Sequence, residues 1–142
     1  MLPVVLELDG VLGDTQPLWE AWLVDVSRRA HVDPGRLDEE LPNWRALLKR
    51  FAEDHAPVYL RPSAQATSAL RRLQSDGVRV GVFTDAPEEL AAVAVAHLGG
   101  ARRIELLEAG PGALPRLLAQ LPGARVCRSR AQLDSVAWST ES

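Results

Sequence analysis

Short apolar runs that alternate with stretches of helical periodicity constrain this chain more than any other feature. The runs fall at residues 2–8 (LPVVLEL), 78–83 (VRVGVF), 103–107 and 124–127, with 136–139 as a short fifth. The first two hold consecutive apolar residues, at 4–6 and 80–83, rather than a strict alternation, as strands buried on both faces do. Parallel strands need crossovers of a dozen or more residues, and the helical stretches between the runs supply them. The expected fold class is therefore α/β, with a parallel sheet between layers of helices.

Local signals mark the helix ends. Thr15-Gln16-Pro17 starts a helix whose Leu18, Trp19, Trp22, Leu23 and Val26 share one face. Asp33-Pro34 is a second start signal, and Trp44, Leu47, Leu48 and Phe51 form another stripe, which Pro57 closes. Pro62-Ser63 opens a helix carrying Ala66, Ala69, Leu70 and Leu73, ended by Asp76-Gly77, where glycine adopts the left-handed cap conformation at little cost. Ala86-Pro87 starts another that runs through Leu98 to Gly99-Gly100, and residues 114–121 make a further one. The long helical stretch at 15–60 reads as an inserted cap, with 1–14 and 61–142 as the α/β core. In open α/β sheets ligands bind beyond the carboxyl ends of the strands, where strand order reverses. The residues of interest are those that end strands: Glu7, Asp9, Thr84, Asp85 and Arg128.

A chain of 142 residues is the length of one ordinary domain, and 46% hydrophobic residues are enough for a core. A net charge of -3 does not suit a nucleic-acid binder. The apolar start is short, lacks a basic flank and is interrupted by Glu7, so no signal peptide is expected, and no run is long enough to span a membrane. Cys127 is the only cysteine, which excludes an intrachain disulfide and a cysteine-based zinc site and fits a reducing, cytoplasmic setting.

Residues 4–15, VVLELDGVLGDT, resemble the first motif of the haloacid dehalogenase (HAD) superfamily. There a hydrophobic strand ends in Asp-x-Asp-Gly, often followed by Asp-Thr at the mouth of the cap; Asp9-Gly10 and Asp14-Thr15 match. The second motif, a strand ending in Thr or Ser, is matched by Val80-Gly81-Val82-Phe83-Thr84. The helical insert sits where the small helical caps of phosphoglycolate phosphatase-like members sit. The resemblance spans essentially the whole chain and implies a HAD-like Rossmannoid three-layer α/β/α fold with a small cap.

The chemistry implied by the resemblance is interrupted at three places. The family's nucleophilic aspartate corresponds to Glu7, whose extra methylene shifts the attacking oxygen by about an ångström, a misplacement that can cost ~10²-fold in rate. The second aspartate, the family's general acid/base, is retained as Asp9. No lysine follows Lys49, the only one in the chain, so the motif lysine is missing; Arg102, Arg103 and Arg116 are the candidate replacements. The family's magnesium-binding Gly-Asp-x-x-x-Asp is replaced by a segment that puts Arg128 and Gln132 on the acidic positions. Magnesium takes oxygen ligands, and a guanidinium has none to give. Arg128 is expected to stand in for the metal's charge by bridging Glu7 and Asp9.

The implied function is that of a HAD-like protein with a vestigial site (Glu7, Asp9, Thr84, Arg128), impaired or inactive in catalysis and serving in binding or regulation through a protein partner or homodimer. No cofactor is expected on this reading. The alternative is an active phosphatase of a small phosphate ester, with Asp9 as general acid/base and Mg²⁺ as cofactor. A small anion has candidate donors at Gly10, Thr84 and Asp85 and at the helix start near Pro87. Plainer roles stand beside these. Asp9-Gly10 is a common turn dipeptide, Thr84 or Asp85 can cap the following helix, and Arg128 can be a solvated strand end. His31, His55 and His97 lack metal-ligand spacing. Trp19, Trp22 and Trp44 suit a cap core, and Cys127 a small buried hydrophobe.

Overall fold

The computed structural model describes residues 1–139. Four strands form one parallel sheet: β1 (Val4–Glu7), β2 (Val80–Thr84), β3 (Leu106–Ala109) and β4 (Arg125–Cys127), in the order β3-β2-β1-β4. The helices are α1 (Gln16–Ala30), α2 (Leu37–Glu40), α3 (Trp44–Tyr59), α4 (Ala64–Ser75), α5 (Glu88–His97), α6 (Ala113–Gln120) and α7 (Arg130–Ala137). One strand face carries Val4, Leu6, Val80, Val82 and Cys127 into a core shared with α4, α5 and α7. The opposite face carries Val5 and Phe83 into a smaller core with Ala113, Leu117 and Leu121. The period of two along each strand thus divides the apolar residues between two helix layers.

The helices of residues 15–60 contribute to the larger core directly. Leu18, Trp22 and Val26 of α1 and Trp44, Leu48, Ala52 and Ala56 of α3 belong to the same buried cluster as the sheet residues. Trp19, Trp22 and Trp44 pack with ring centroids 5.5 to 6.3 Å apart, and the Trp44 indole donates to Asp38 at 2.7 Å. α3 lies along α5, and Arg45 reaches across to Glu89 at 2.9 Å.

Several local signals act as expected. Ser63 caps α4 by accepting from the Ala66 N–H at 3.2 Å. Gly77, at φ +73°, ends it: Val78 N–H donates back to the Leu73 carbonyl and Gly77 N–H to that of Gln74. Three expectations need correction. The fifth strand at 136–139 does not form, because Leu133, Val136 and Ala137 recur at helical spacing and α7 buries that side; Ser129 caps it by accepting from Gln132 N–H at 3.1 Å. So short an apolar run cannot announce its own period. The third strand begins at Leu106 rather than 103, because Arg103 and Ile104 N–H both turn back to the Gly100 carbonyl. Pro57 does not close α3, which continues to Tyr59. A proline this near the end removes a single bond, and Leu60 N–H still donates to Ala56 at 2.8 Å.

Gly81 in the middle of β2 lets α6 approach the sheet. A methyl group there would stand 2.8 Å from Leu117 Cδ1 and 3.0 Å from Leu121 Cδ1. Gly81→Ala should lower stability by about 1–3 kcal/mol through overpacking, read as a lower urea midpoint at unchanged slope. An unchanged midpoint would mean that α6 can shift freely on the sheet.

Candidate functional site

All four strands run the same way, so their carboxyl ends gather on one side of the sheet. The chain leaves β3 at one edge and re-enters as β4 at the other, beside β1. Strand order reverses there, and the crevice outside that point is the usual ligand site of such sheets. A cleft of about 270 Å³ lies at these ends, lined by Glu7, Asp9, Phe83, Thr84, Asp85 and Arg128 and by Gly112, Ala113, Leu114 and Pro115 at the start of α6.

Glu7 ends β1 and is paired in register with Phe83 on β2. Arg128 directly follows β4. Its Nη1 donates to Glu7 Oε2, and its guanidinium lies 5.3 Å from the centroid of the Phe83 ring. The two side chains are 55% and 32% exposed, so this is a half-solvated clamp over an aromatic ring, not an internal ion pair. Arg128 N–H donates to Gln132 Oε1 at 2.6 Å, so Gln132 closes the end of β4.

Asp9 lines the same cleft but takes other partners. Its Oδ1 accepts the Thr15 N–H at 2.7 Å and its Oδ2 the Thr15 hydroxyl at 3.1 Å. The expected bridge from Arg128 across both carboxylates is therefore not formed. The physical reason is the wide turn over Leu8–Leu12, closed by Gly13 N–H donating to the Leu8 carbonyl at 3.3 Å, which returns the chain so that Thr15 faces Asp9. Gly10 makes the turn at φ +95°, where a side chain would be strained and its Cβ would meet the Arg128 carbonyl oxygen at 3.3 Å.

The expected anion donors are otherwise engaged. Gly10 N–H donates to Gly13 at 2.9 Å. Thr84 is buried, and its hydroxyl oxygen accepts the Ala86 N–H at 3.1 Å instead of capping a helix. α5 begins after Pro87 without a side-chain cap and carries Glu88 and Glu89 in its first turn. Asp85 and Asp9 also line a second hollow of about 280 Å³ with Thr15, Gln16, Trp19, Ala86 and Pro87. Of the three arginines considered for the missing lysine, none lines the cleft. Arg103 donates to the Gly99 carbonyl at 2.9 Å. Arg116 ties α6 to the end of β3, donating to Glu108 at 2.8 Å and to the Ala109 carbonyl at 2.6 Å. The Arg116 guanidinium and, after it, the Gln120 amide hold the Glu108 carboxyl below its ordinary range.

Among the described residues no group of three or more His, Cys, Asp or Glu is placed to hold a metal ion. The histidines stay apart: His31 ends α1, His55 donates to the Phe51 carbonyl at 2.9 Å and stacks on its ring, and His97 lies in the last turn of α5. Cys127 is buried, which pushes its thiol pKa up and leaves it a packing residue. The sequence marks Thr15 as part of the Asp14-Thr15 pair and as a helix start, but neither its bond to Asp9 nor the place of Phe83 beneath Arg128 is legible there.

No protein-family model matches the chain, and no curated protein matches it in sequence. Solved structures do. A chain assigned as a beta-phosphoglucomutase from Thermotoga maritima superposes with a TM-score of 0.56 at 20% identity, over 96% of this chain and 82% of that one. The HAD-like fold is established. A HAD phosphatase from Thermococcus onnurineus gives 0.59 at 14% identity over 97% and 98% of the two chains. A haloacid dehalogenase-like hydrolase from Burkholderia xenovorans LB400 gives 0.55 at 17% identity over 99% and 80%. At such identities the likeness speaks for the HAD-like fold and not for the chemistry.

Two outcomes follow from this geometry. Thr15→Val should cost about 1–2 kcal/mol in denaturant unfolding, because it removes a donor from a part-buried carboxylate; no change would mean that the backbone amide alone holds Asp9. The Glu108 carboxyl is depressed in the folded state, so its contribution is present above the unfolded carboxylate pKa and lost as pH falls through the folded one. The stability gap between the native chain and Glu108→Gln should therefore exist at pH 7 and close at strongly acid pH; a gap independent of pH would contradict the assignment.

Proposed function

We propose that this chain is a HAD-like protein that performs no phosphoryl transfer and acts by binding, as a regulatory or scaffolding partner of another protein or of a second copy of itself. The observation that carries this reading is the Arg128–Glu7 pair at the carboxyl ends of β4 and β1. In a phosphatase of this fold the resemblance implies a nucleophilic carboxylate and a magnesium ion in that place. Here the carboxylate is one methylene longer and engaged by a guanidinium, and the residues present do not fit the ion. Magnesium requires several oxygen ligands in octahedral array, whereas Arg128 offers only donors and Gln132 Oε1 faces the Arg128 amide.

The charge balance of the cleft points the same way. Glu7, Asp9 and Asp85 supply three carboxylates against one guanidinium, which is already paired. A phosphate ester entering this cleft would meet two further carboxylates and no uncommitted cation among the lining residues, so repulsion opposes it. Asp9, kept as the family's acid/base, is held by Thr15 and has no nucleophile beside it of the length the chemistry needs. On this reading residues 15–60 are a cap retained for packing, and the buried, inert thiol of Cys127 suits a reducing, cytoplasmic setting. No helix among the described residues is long and apolar enough to cross a membrane.

Turnover of p-nitrophenyl phosphate with Mg²⁺ tests the proposal directly. The native chain and Asp9→Asn should be equally silent, and calorimetric titration with Mg²⁺ should give no binding heat at millimolar concentrations. Glu7→Asp combined with Arg128→Asp should acquire Mg²⁺ binding, since it restores oxygen ligands and removes the cation. Turnover by the native chain that vanishes in Asp9→Asn would establish the active-phosphatase reading instead.

A further inference from the structure

The corner between β4 and α7 reaches the turn that carries Asp9. Arg130, the first residue of α7, donates from Nε to the Val11 carbonyl at 3.0 Å, across 119 positions of sequence. Val11 lies in the Leu8–Leu12 turn, between Asp9 and the Thr15 that bonds to it. The Arg128 carbonyl oxygen also packs on this turn, so close to Gly10 that a methyl group there would stand 3.3 Å from it. Leu133, one helical turn beyond Arg130, is fully buried in the same cluster as Leu8, Val11 and Leu12.

The turn needs such a hold from outside. Asp9 (ψ 126°) and Gly10 (φ +95°) leave helical geometry, so the ladder of bonds that stiffens a regular helix is broken inside it. The side chains of Leu8, Val11 and Leu12 anchor it on the core side. An arginine suits the backbone side, because Nε–H can serve the carbonyl while the terminal nitrogens of an exposed guanidinium stay in water. The corner that presents it is itself braced: Ser129 accepts the Gln132 N–H at 3.1 Å, and Gln132 Oε1 accepts the Arg128 N–H at 2.6 Å.

We propose that Arg130 is a positioning residue of the cleft: by holding the Val11 carbonyl it fixes the Leu8–Leu12 turn, and through that turn the bonds between Asp9 and Thr15. It pairs with neither cleft carboxylate itself. One corner of the chain then sets both acids, Glu7 through the Arg128 side chain and Asp9 through the backbone that Arg130 grips. The assignment concerns geometry alone and holds whether the cleft catalyses or only binds, so its failure and that of the functional reading are separable.

Amide proton shifts of the full chain, read residue by residue by NMR, test it. In the native chain the Thr15 amide proton should lie downfield, because it points at a carboxylate. In Arg130→Met it should move upfield, together with that of Gly13, while the amides of the central strands β1 and β2 keep their native shifts. A residue that only added stability would leave every shift of the folded chain in place. Arg130→Lys keeps a cationic donor and should return the Thr15 amide most of the way. Arg103→Met removes another arginine that donates to a carbonyl, that of Gly99, and should leave Thr15 where it is. In the native chain the Arg130 Nε–H should exchange with water more slowly than that of an unbonded guanidinium, a reading that needs no variant. Unmoved Thr15 and Gly13 amides in Arg130→Met would overturn the proposal. So would an equal displacement of the strand amides, no recovery in Arg130→Lys, an equal change in Arg103→Met, or fast Nε–H exchange in the native chain.

Discussion

β1 is hydrogen-bonded on both sides, and the arrangement of charges in the cleft follows from that. Its register with β2 sets Glu7 beside Phe83, and its register with β4 aligns Leu6 with Cys127, so the next residue of the edge strand, Arg128, lies at the end of β1. A slip of one residue would turn Glu7 to the other face and place Arg128 out of reach. The register is secured by burial on both sides, since Val4 and Leu6 enter one core and Val5 the other. The pairing of charges at the strand ends is thus a consequence of apolar packing several residues away.

At those ends two carboxylates are satisfied by two different devices. Glu7 takes a half-solvated cation, whose exposure limits what the pair contributes to stability. Asp9 takes fixed donors from a threonine that is 2% exposed. The second arrangement is the stiffer one, because a backbone amide cannot rotate away. The cleft therefore combines an acid fixed by backbone with an exposed ion pair.

The helices of residues 15–60 are bound to the sheet layer by the same physics. Leu48, Ala52 and Ala56 of α3 share one buried cluster with Leu90, Ala91 and Ala94 of α5, and Trp44 of α3 packs against Trp19 and Trp22 of α1. With no break in the core, movement of these helices would expose apolar surface at about 25 cal/mol per Å². The region is accordingly a packed layer in the described structure, and Trp19 brings one aromatic edge to the hollow shared by Asp9 and Asp85.

The sequence by itself determined the alternating β-α order, the helix ends at Ser63 and Gly77, and the placement of Glu7, Asp9, Thr84 and Arg128 at strand ends, because periodicity, capping and turn chemistry are local and survive without the rest of the chain. It could not decide short segments such as 136–139, where too few residues are present to reveal a period, nor the start of β3, which a turn back to Gly100 delays. Only the tertiary structure decided that Arg128 takes Glu7 and leaves Asp9 to Thr15, and that Gly10 and Thr84 bond internally. Hydrogen-bond partners 6 or 121 residues apart are chosen by the path of a turn and the register of a sheet, and neither distance is written in the order of the residues.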